Sequence, residues 1–269
     1  SMKKMNIAFV LALICLSVNG CREEDSLQIS IACDPALKEI IEELADGFEQ
    51  EHGVVIEPRS YAGSEVLLSQ MSESQDLDLV IAGDLHYLDE ATARGHVEQS
   101  SFICRLRPAI LVHEGNPFGV DSLNSLVQEG LRVGLCDPLA SALGRRSKHM
   151  LLKQGIAYDE LTDNFVLYRP TSRELVEDVV SGELDAAIIW DCVSARVEEE
   201  CEVVEIPESE VLPSVAVIML TNFSDSPDYA KQFMEYCGSS EGEAIIEEYG
   251  YTPEAKAHEL STGDYGESL

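Results

Sequence analysis

Leu27-Gln28-Ile29-Ser30-Ile31-Ala32 is a short apolar run, and Ala36 to His52 then places Leu37, Ile40, Ile41, Leu44 and Phe48 on one helical face before Gly53. A brief apolar run followed by a one-faced helix with a glycine stop reads as a strand and its covering helix. The chain repeats the theme. Val54 to Glu57 reads as a strand that leads through Ser60-Tyr61-Ala62-Gly63-Ser64 into a helix carrying Val66, Leu67, Gln70 and Met71. Asp78 to Ala82 reads as a third strand, followed by a helix that Gly95 ends. This alternation is the signature of a parallel sheet covered by helices, an α/β fold.

A second series begins after Arg107-Pro108. Its expected strands are Ala109 to His113, Arg132 to Leu135, Phe165 to Tyr168 and Asp185 to Trp190, with a helix over Ala142 to Gln154. Thr171-Ser172-Arg173-Glu174 fits a capping box that opens another helix, with Leu175, Val176, Val179 and Val180 facing inward. After Val203 to Ile206 and a connector to Pro213, Val215 to Leu220 reads as a strand, and two helices follow near Pro227 to Cys237 and Glu241 to Tyr249. Cys104 to Pro108 and Ile206 to Pro213 therefore read as two crossings between α/β lobes. The expected division is residues 27–104 with 213–252 as a discontinuous first lobe, 108–206 as the second, and 253–269 as a polar tail. Two lobes on a two-strand hinge form an architecture for closing around a ligand.

The 269 residues hold 50 Asp and Glu against 18 Lys and Arg, a formal charge of −32. Hydrophobic residues make up 45%, enough for a real core, so the acidity does not signal disorder. Such a surface repels phosphate backbones and anionic headgroups, which argues against nucleic-acid and membrane-surface partners.

At the amino terminus, Lys3 and Lys4 precede an apolar run from Ile7 to Val18, too short to span a membrane and suited to a signal-peptide core. Leu16-Ser17-Val18-Asn19-Gly20-Cys21 resembles the lipobox of bacterial lipoproteins, which implies removal of residues 1–20 and lipidation of Cys21. The expected location is periplasmic or cell-surface, with the membrane reached only through that anchor. Losing Lys3 and Lys4 leaves 16 basic residues against 50 acids, a mature charge of −34.

Several motifs, in this order, resemble the molybdate- and tungstate-binding proteins of ABC transporters. In the first lobe they are Tyr61-Ala62-Gly63-Ser64 and Leu77-Asp78-Leu79-Val80-Ile81-Ala82-Gly83-Asp84. In the second they are Cys136-Asp137-Pro138 with Ser141-Ala142-Leu143-Gly144-Arg145, and Ser181 to Trp190; Ser240 to Tyr251 is similar to the ending these proteins share. The resemblance covers about residues 27–252. It implies a type 2 periplasmic-binding-protein fold that holds a small oxyanion between its lobes and passes it to a membrane permease driven by a separate ATPase. It also implies a monomer with no cofactor and no catalytic residue. Carried over residue by residue, the donors fall on Gly63 and Ser64, on Ser141 and Ala142, on Thr171 or Ser172, and on Trp190. Helix amino termini bring free N–H donors and a positive dipole end, so neutral groups can hold an anion in a very acidic chain.

The first loop departs from that pattern, reading Ala32-Cys33-Asp34-Pro35 where a small neutral donor is expected. A carboxylate about 4 Å from an oxyanion costs roughly 4 kcal/mol at an effective dielectric of 20. Asp34 is therefore expected to point away as a helix cap, or else the ligand is not a simple anion. Cys33-Asp34, Cys136-Asp137 and Asp191-Cys192 each follow an expected strand, so Cys33, Cys136 and Cys192 with Asp34 and Asp191 form an alternative set for a soft or borderline metal, a metal complex or another small acid. Disulfides or small buried thiols are the plainer reading of cysteines in an exported chain, with Cys192 and Cys201 as the expected pair and Cys237 as core. An enzyme using one of those thiols with His86, His113 or His149 has no recognisable nucleophile motif behind it. A ligand-free surface adhesin is a third class.

Overall fold

The computed structural model describes residues 27–157, 165–194, 197 and 199–253. The expected leader, Cys21 and nearly all of the polar tail lie outside them. Among the described residues no helix is long and apolar enough to cross a membrane.

The first sheet has six strands in the order β11-β4-β10-β3-β1-β2, built from β1 (Gln28–Cys33), β2 (Val55–Tyr61), β3 (Leu79–Ala82), β4 (Val97–Leu106), β10 (Ser214–Thr221) and β11 (Thr252–Pro253). The second has five, in the order β7-β6-β8-β5-β9, from β5 (Pro108–His113), β6 (Arg132–Cys136), β7 (Phe165–Arg169), β8 (Ala186–Trp190) and β9 (Cys201–Glu205). The sheets are mixed, which corrects the expectation of purely parallel pairing. β1 lies parallel to β2 and β3, and β6 parallel to β7 and β8, whereas β10 runs antiparallel to β3 and β4, and β5 antiparallel to β8 and β9. The antiparallel strands are those that carry the chain across between sheets, so they enter from the opposite end.

β4 has no counterpart among the expected strands. Glu98, Gln99 and Ser100 are exposed, and only Phe102 to Leu106 reads as apolar; its pairing with β10 and β11 makes it a strand. β2 is longer than expected and runs along the sheet edge. There Arg59 reaches back to α1 (Lys38–His52), contacting Glu42 at 2.6 Å, Asp46 at 2.7 Å and Glu49 at 2.8 Å.

Helices α2 (Ser64–Ser74), α3 (Leu85–Ala93), α6 (Pro227–Cys237) and α7 (Ser240–Glu248) accompany α1 on the first sheet; α4 (Ala142–Lys153) and α5 (Ser172–Val180) pack on the second. In the middle of β6, Gly134 leaves room for that packing. A Cβ there would lie 2.4 Å from Leu184 and 2.7 Å from Leu175 of α5.

The six cysteines among the described residues are all unbridged thiols, so the expected Cys192–Cys201 disulfide is absent. Cys201 is buried on β9 opposite His113, while the Cys192 thiol is engaged with Tyr251.

Polar contacts join the two lobes. Arg146 of α4 donates from Nε to Asp84 at the head of α3 at 2.5 Å and from Nη1 to the Pro213 carbonyl at 2.9 Å. Both side chains are almost wholly buried. Arg173 meets Glu39 at 2.7 Å in a more exposed pair. The two crossings are also tied together, because Arg107 donates to the Ile206 carbonyl at 2.8 Å and pairs with Glu208 at 2.5 Å.

Two stability outcomes follow from this packing. Gly134→Ala is expected to cost about 1–3 kcal/mol in urea unfolding through overpacking against Leu175 and Leu184. Arg146→Met leaves Asp84 buried without its partner and is expected to cost about 3–5 kcal/mol, with part regained when Asp84 is also replaced by Leu. A midpoint unchanged by Arg146→Met would show that the pair does not hold the lobes.

Candidate functional site

Gly63 marks where the lobes meet. It caps the amino end of α2, and a Cβ on it would come within 2.3 Å of the Ala140 carbonyl oxygen and 4.0 Å of the Pro170 carbonyl oxygen. One glycine of the first lobe thus lies against the loops that precede α4 and α5 in the second. The starts of α2, α4 and α5 converge on this seam, each bringing first-turn N–H groups that have no intrahelical acceptor.

The caps differ in how far they are committed. Ser141 caps α4 by accepting from the Gly144 amide at 3.0 Å, and Ala142 follows it, buried, as the first helical residue. Thr171 caps α5 in the expected capping box, its hydroxyl donating to Glu174 Oε2 at 2.9 Å and the Glu174 carboxylate accepting the Thr171 amide at 3.2 Å. The Thr171 side chain is therefore occupied, and Ser172, buried beside it, brings the free end of the helix.

Ser64 is not a cap. It is the first residue of α2, fully buried, and its hydroxyl donates to Asp34 Oδ2 at 2.6 Å while accepting the Gly83 amide at 3.1 Å. Asp34 does cap a short helical turn over Pro35–Leu37, with Oδ1 accepting the Ala36 amide at 3.0 Å. It does not point away from the seam, however, because its second oxygen is bound to Ser64. Burial pushes the Asp34 carboxyl pKa up, against the pull of these hydrogen bonds.

The three thiols do not assemble. Cys33 lies in the core of the first lobe near Cys104 and Cys237, with its sulfur donating to the Asp34 carbonyl at 3.3 Å. Cys136 ends β6 across the seam, where it senses the Asp34 charge and bonds Ser141. Cys192 lines a pocket of about 460 Å³ with Glu39, Arg173 and Tyr251. Burial raises all three thiol pKa values, which disfavours the thiolate a metal needs. Among the described residues no group of three or more His, Cys, Asp and Glu is placed to hold a metal.

Trp190 is buried at the end of β8 opposite Pro108, at the crossing. Asp191 sits there too. Its amide donates to the Arg107 carbonyl at 2.9 Å, its Oδ1 accepts the Cys192 amide at 2.8 Å, and burial raises its pKa. These contacts place Asp191 at the hinge rather than among the groups around Gly63.

Three further side chains stand at the seam with no local sequence motif to mark them: Tyr87, Arg145 and Arg146. Tyr87, on the first turn of α3, is 1% exposed, and its phenol oxygen has no hydrogen-bond partner among the described residues. It lies within the electrostatic reach of Glu65, Asp84, Asp34 and Arg146. The Arg145 guanidinium stands 5.7 Å over its ring, half-buried, with no ion pair among the described residues. Two adjacent arginines near the start of α4, in a chain with only 18 basic residues, were the available signal.

Known proteins share this fold. The model of the bacterial extracellular solute-binding protein family matches residues 29–252. A Haemophilus influenzae protein described only as a binding protein is 26% identical over 219 residues, 81% of this chain and 87% of its own. The molybdate-binding protein ModA of Mycobacterium tuberculosis is 22% identical over 196 residues, 71% of this chain and 72% of its own. Among solved structures, the periplasmic molybdate-binding protein of Azotobacter vinelandii superposes with a TM-score of 0.72 at 16% identity, over 83% of this chain and 98% of that one. The sulfate-binding protein SubI of M. tuberculosis superposes equally, at 0.72 and 15% identity over 88% of each chain. The fold is that of the type 2 periplasmic binding proteins, and the chain belongs to the bacterial extracellular solute-binding protein family.

Proposed function

We propose that the chain captures a small tetrahedral oxyanion of the molybdate or tungstate type at the seam between its lobes and delivers it to an ABC permease. The observation that carries this reading is the meeting of three helix amino termini, those of α2, α4 and α5, where Gly63 abuts Ala140. Their first-turn N–H groups offer several donors at the positive ends of three dipoles, which suits an anion and gives a cation nothing. The resemblance of the motifs to molybdate- and tungstate-binding proteins, and the molybdate-binding relatives, support the choice of oxyanion.

In this reading Gly63, Ala142 and Ser172 bring backbone donors, and Ser64 brings its hydroxyl. Tyr87 adds a phenol whose oxygen has no partner among the described residues. Trp190 closes the hinge side. The leader and Cys21 anchor the chain outside the cytoplasm through lipid, and the permease and its ATPase supply the energy, so the chain itself acts as a monomer without catalysis.

Three measurements test this. Molybdate or tungstate at a hundredfold excess over Kd is expected to stabilise the protein by about 2.7 kcal/mol, read as a raised melting temperature, with sulfate, phosphate and divalent metals run alongside. Stabilisation by zinc alone would overturn the oxyanion reading. Tyr87→Phe is expected to weaken tungstate binding about tenfold, the value of one charge-assisted hydrogen bond of roughly 1.5 kcal/mol. Gly63→Ala is expected to abolish high affinity and also to lower the urea midpoint, because the added methyl would lie 2.3 Å from the Ala140 carbonyl oxygen in the arrangement that the Asp84–Arg146 pair holds.

A further inference from the structure

A serine hydroxyl has one hydrogen to donate, and that of Ser64 is already given to Asp34 Oδ2 at 2.6 Å. Its oxygen accepts the Gly83 amide at 3.1 Å, and the other Asp34 oxygen accepts the Ala36 amide at 3.0 Å. Asp34 is 6% exposed, and no ion pair neutralises it among the described residues. With Asp34 ionised, Ser64 has nothing left to offer an anion, and a negative charge stands one hydrogen bond behind it. Protonation reverses both effects. The carboxyl O–H then donates to Ser64 Oγ, which keeps its bond from Gly83 and turns its own hydrogen toward the seam.

We propose that the site takes up its oxyanion together with one proton, held on Asp34 and expressed at the ligand through the Ser64 hydroxyl. Asp34 thereby sets the combined charge that the closed site accepts. The proton comes from solvent, and no bond within the ligand is made or broken. This inference rests on the oxyanion reading of the same site.

The surroundings of Asp34 favour the neutral acid. Cys33 on its own strand, Tyr87 from α3 and Cys136 from β6 all sense its charge, and burial raises the pKa of each, so none supplies a compensating charge. β3 brings only Leu79–Ala82 and the Gly83 amide, and α2 brings Ser64. Glu65 and Asp84 act on Tyr87 from beyond, and the buried cation Arg146 is committed to Asp84 and Pro213. Burial raises the Asp34 pKa from 3.8, so the folded chain keeps this proton to higher pH than the unfolded one. The sign for binding follows: the complex holds the proton more tightly than the free protein, and affinity falls as pH rises through the free-protein pKa.

The test is isothermal titration of the protein with molybdate and with sulfate between pH 6 and pH 8.5, where neither anion carries a proton, in two buffers of different ionisation enthalpy. The expected result is a Kd that rises toward tenfold per pH unit above the Asp34 pKa, with about one proton taken up per ligand bound. Asp34→Asn, whose amide donates at every pH, is expected to bind with a flat Kd and no proton uptake. Tight wild-type binding with a flat Kd and no uptake would overturn the proposal, as would a slope that persists in Asp34→Asn. Should that variant not fold, the wild-type slope and proton count decide alone. Binding of neither anion at any pH would overturn the oxyanion reading itself.

Discussion

The buried pair between Asp84 and Arg146 is the constraint around which the two lobes are arranged. Asp84 follows β3 and caps α3 by accepting the His86 amide at 2.9 Å, so it belongs structurally to the first lobe. Arg146 belongs to α4 of the second, and its remaining reach goes to Pro213, the last residue of the returning crossing. One guanidinium therefore touches both lobes and the connection between them. Neither charge is stable alone at this depth, since an unpartnered buried ion costs several kcal/mol. The geometry that satisfies the pair also lays α4, α2 and Gly63 together.

The acidity of the chain and the anion binding proposed for its seam are separate matters. The formal charge of −32 lies mainly on exposed carboxylates, a few of which are answered locally, as where Arg59 gathers Glu42, Asp46 and Glu49. Screening confines such charges to a range of about 8–10 Å in ordinary salt. At the seam the relevant groups are amides, hydroxyls and the partial charges of helix ends. There Asp34 counts for more than its share of the total, because it is buried and bound to the Ser64 hydroxyl.

Most of the α/β alternation was legible because each unit carries its own punctuation: Gly53 after α1, the Thr171–Glu174 box before α5, and proline at the head of α6. Strand direction was not, since apolar runs such as Ala109 to Val112 read the same whichever way the chain enters the sheet. β4 was hidden for a related reason, its polar first half becoming a strand only by pairing with β10, more than a hundred residues later. At the site, the local caps of Ser141 and Thr171 were readable. The contacts that define its chemistry join Asp34 to Ser64 across 30 residues and Asp84 to Arg146 across 62, and no local pattern encodes them. The cysteines invited a metal reading by their places just past strand ends, yet Cys33 and Cys136 are small buried side chains, and the alternative of buried thiols was already readable.

Arg107 gives the connection between lobes a mechanical character. It stands between β4 and β5 in the first crossing, yet it is hydrogen-bonded to Ile206 in the second, so the two strands of the connection are fastened side by side. Two separate tethers would bend independently and let the lobes slide or shear past one another. Two fastened tethers behave as one ribbon, which resists shear and leaves twisting about its length as the soft motion. That fastening holds the lobes in the register that sets Gly63 against Ala140.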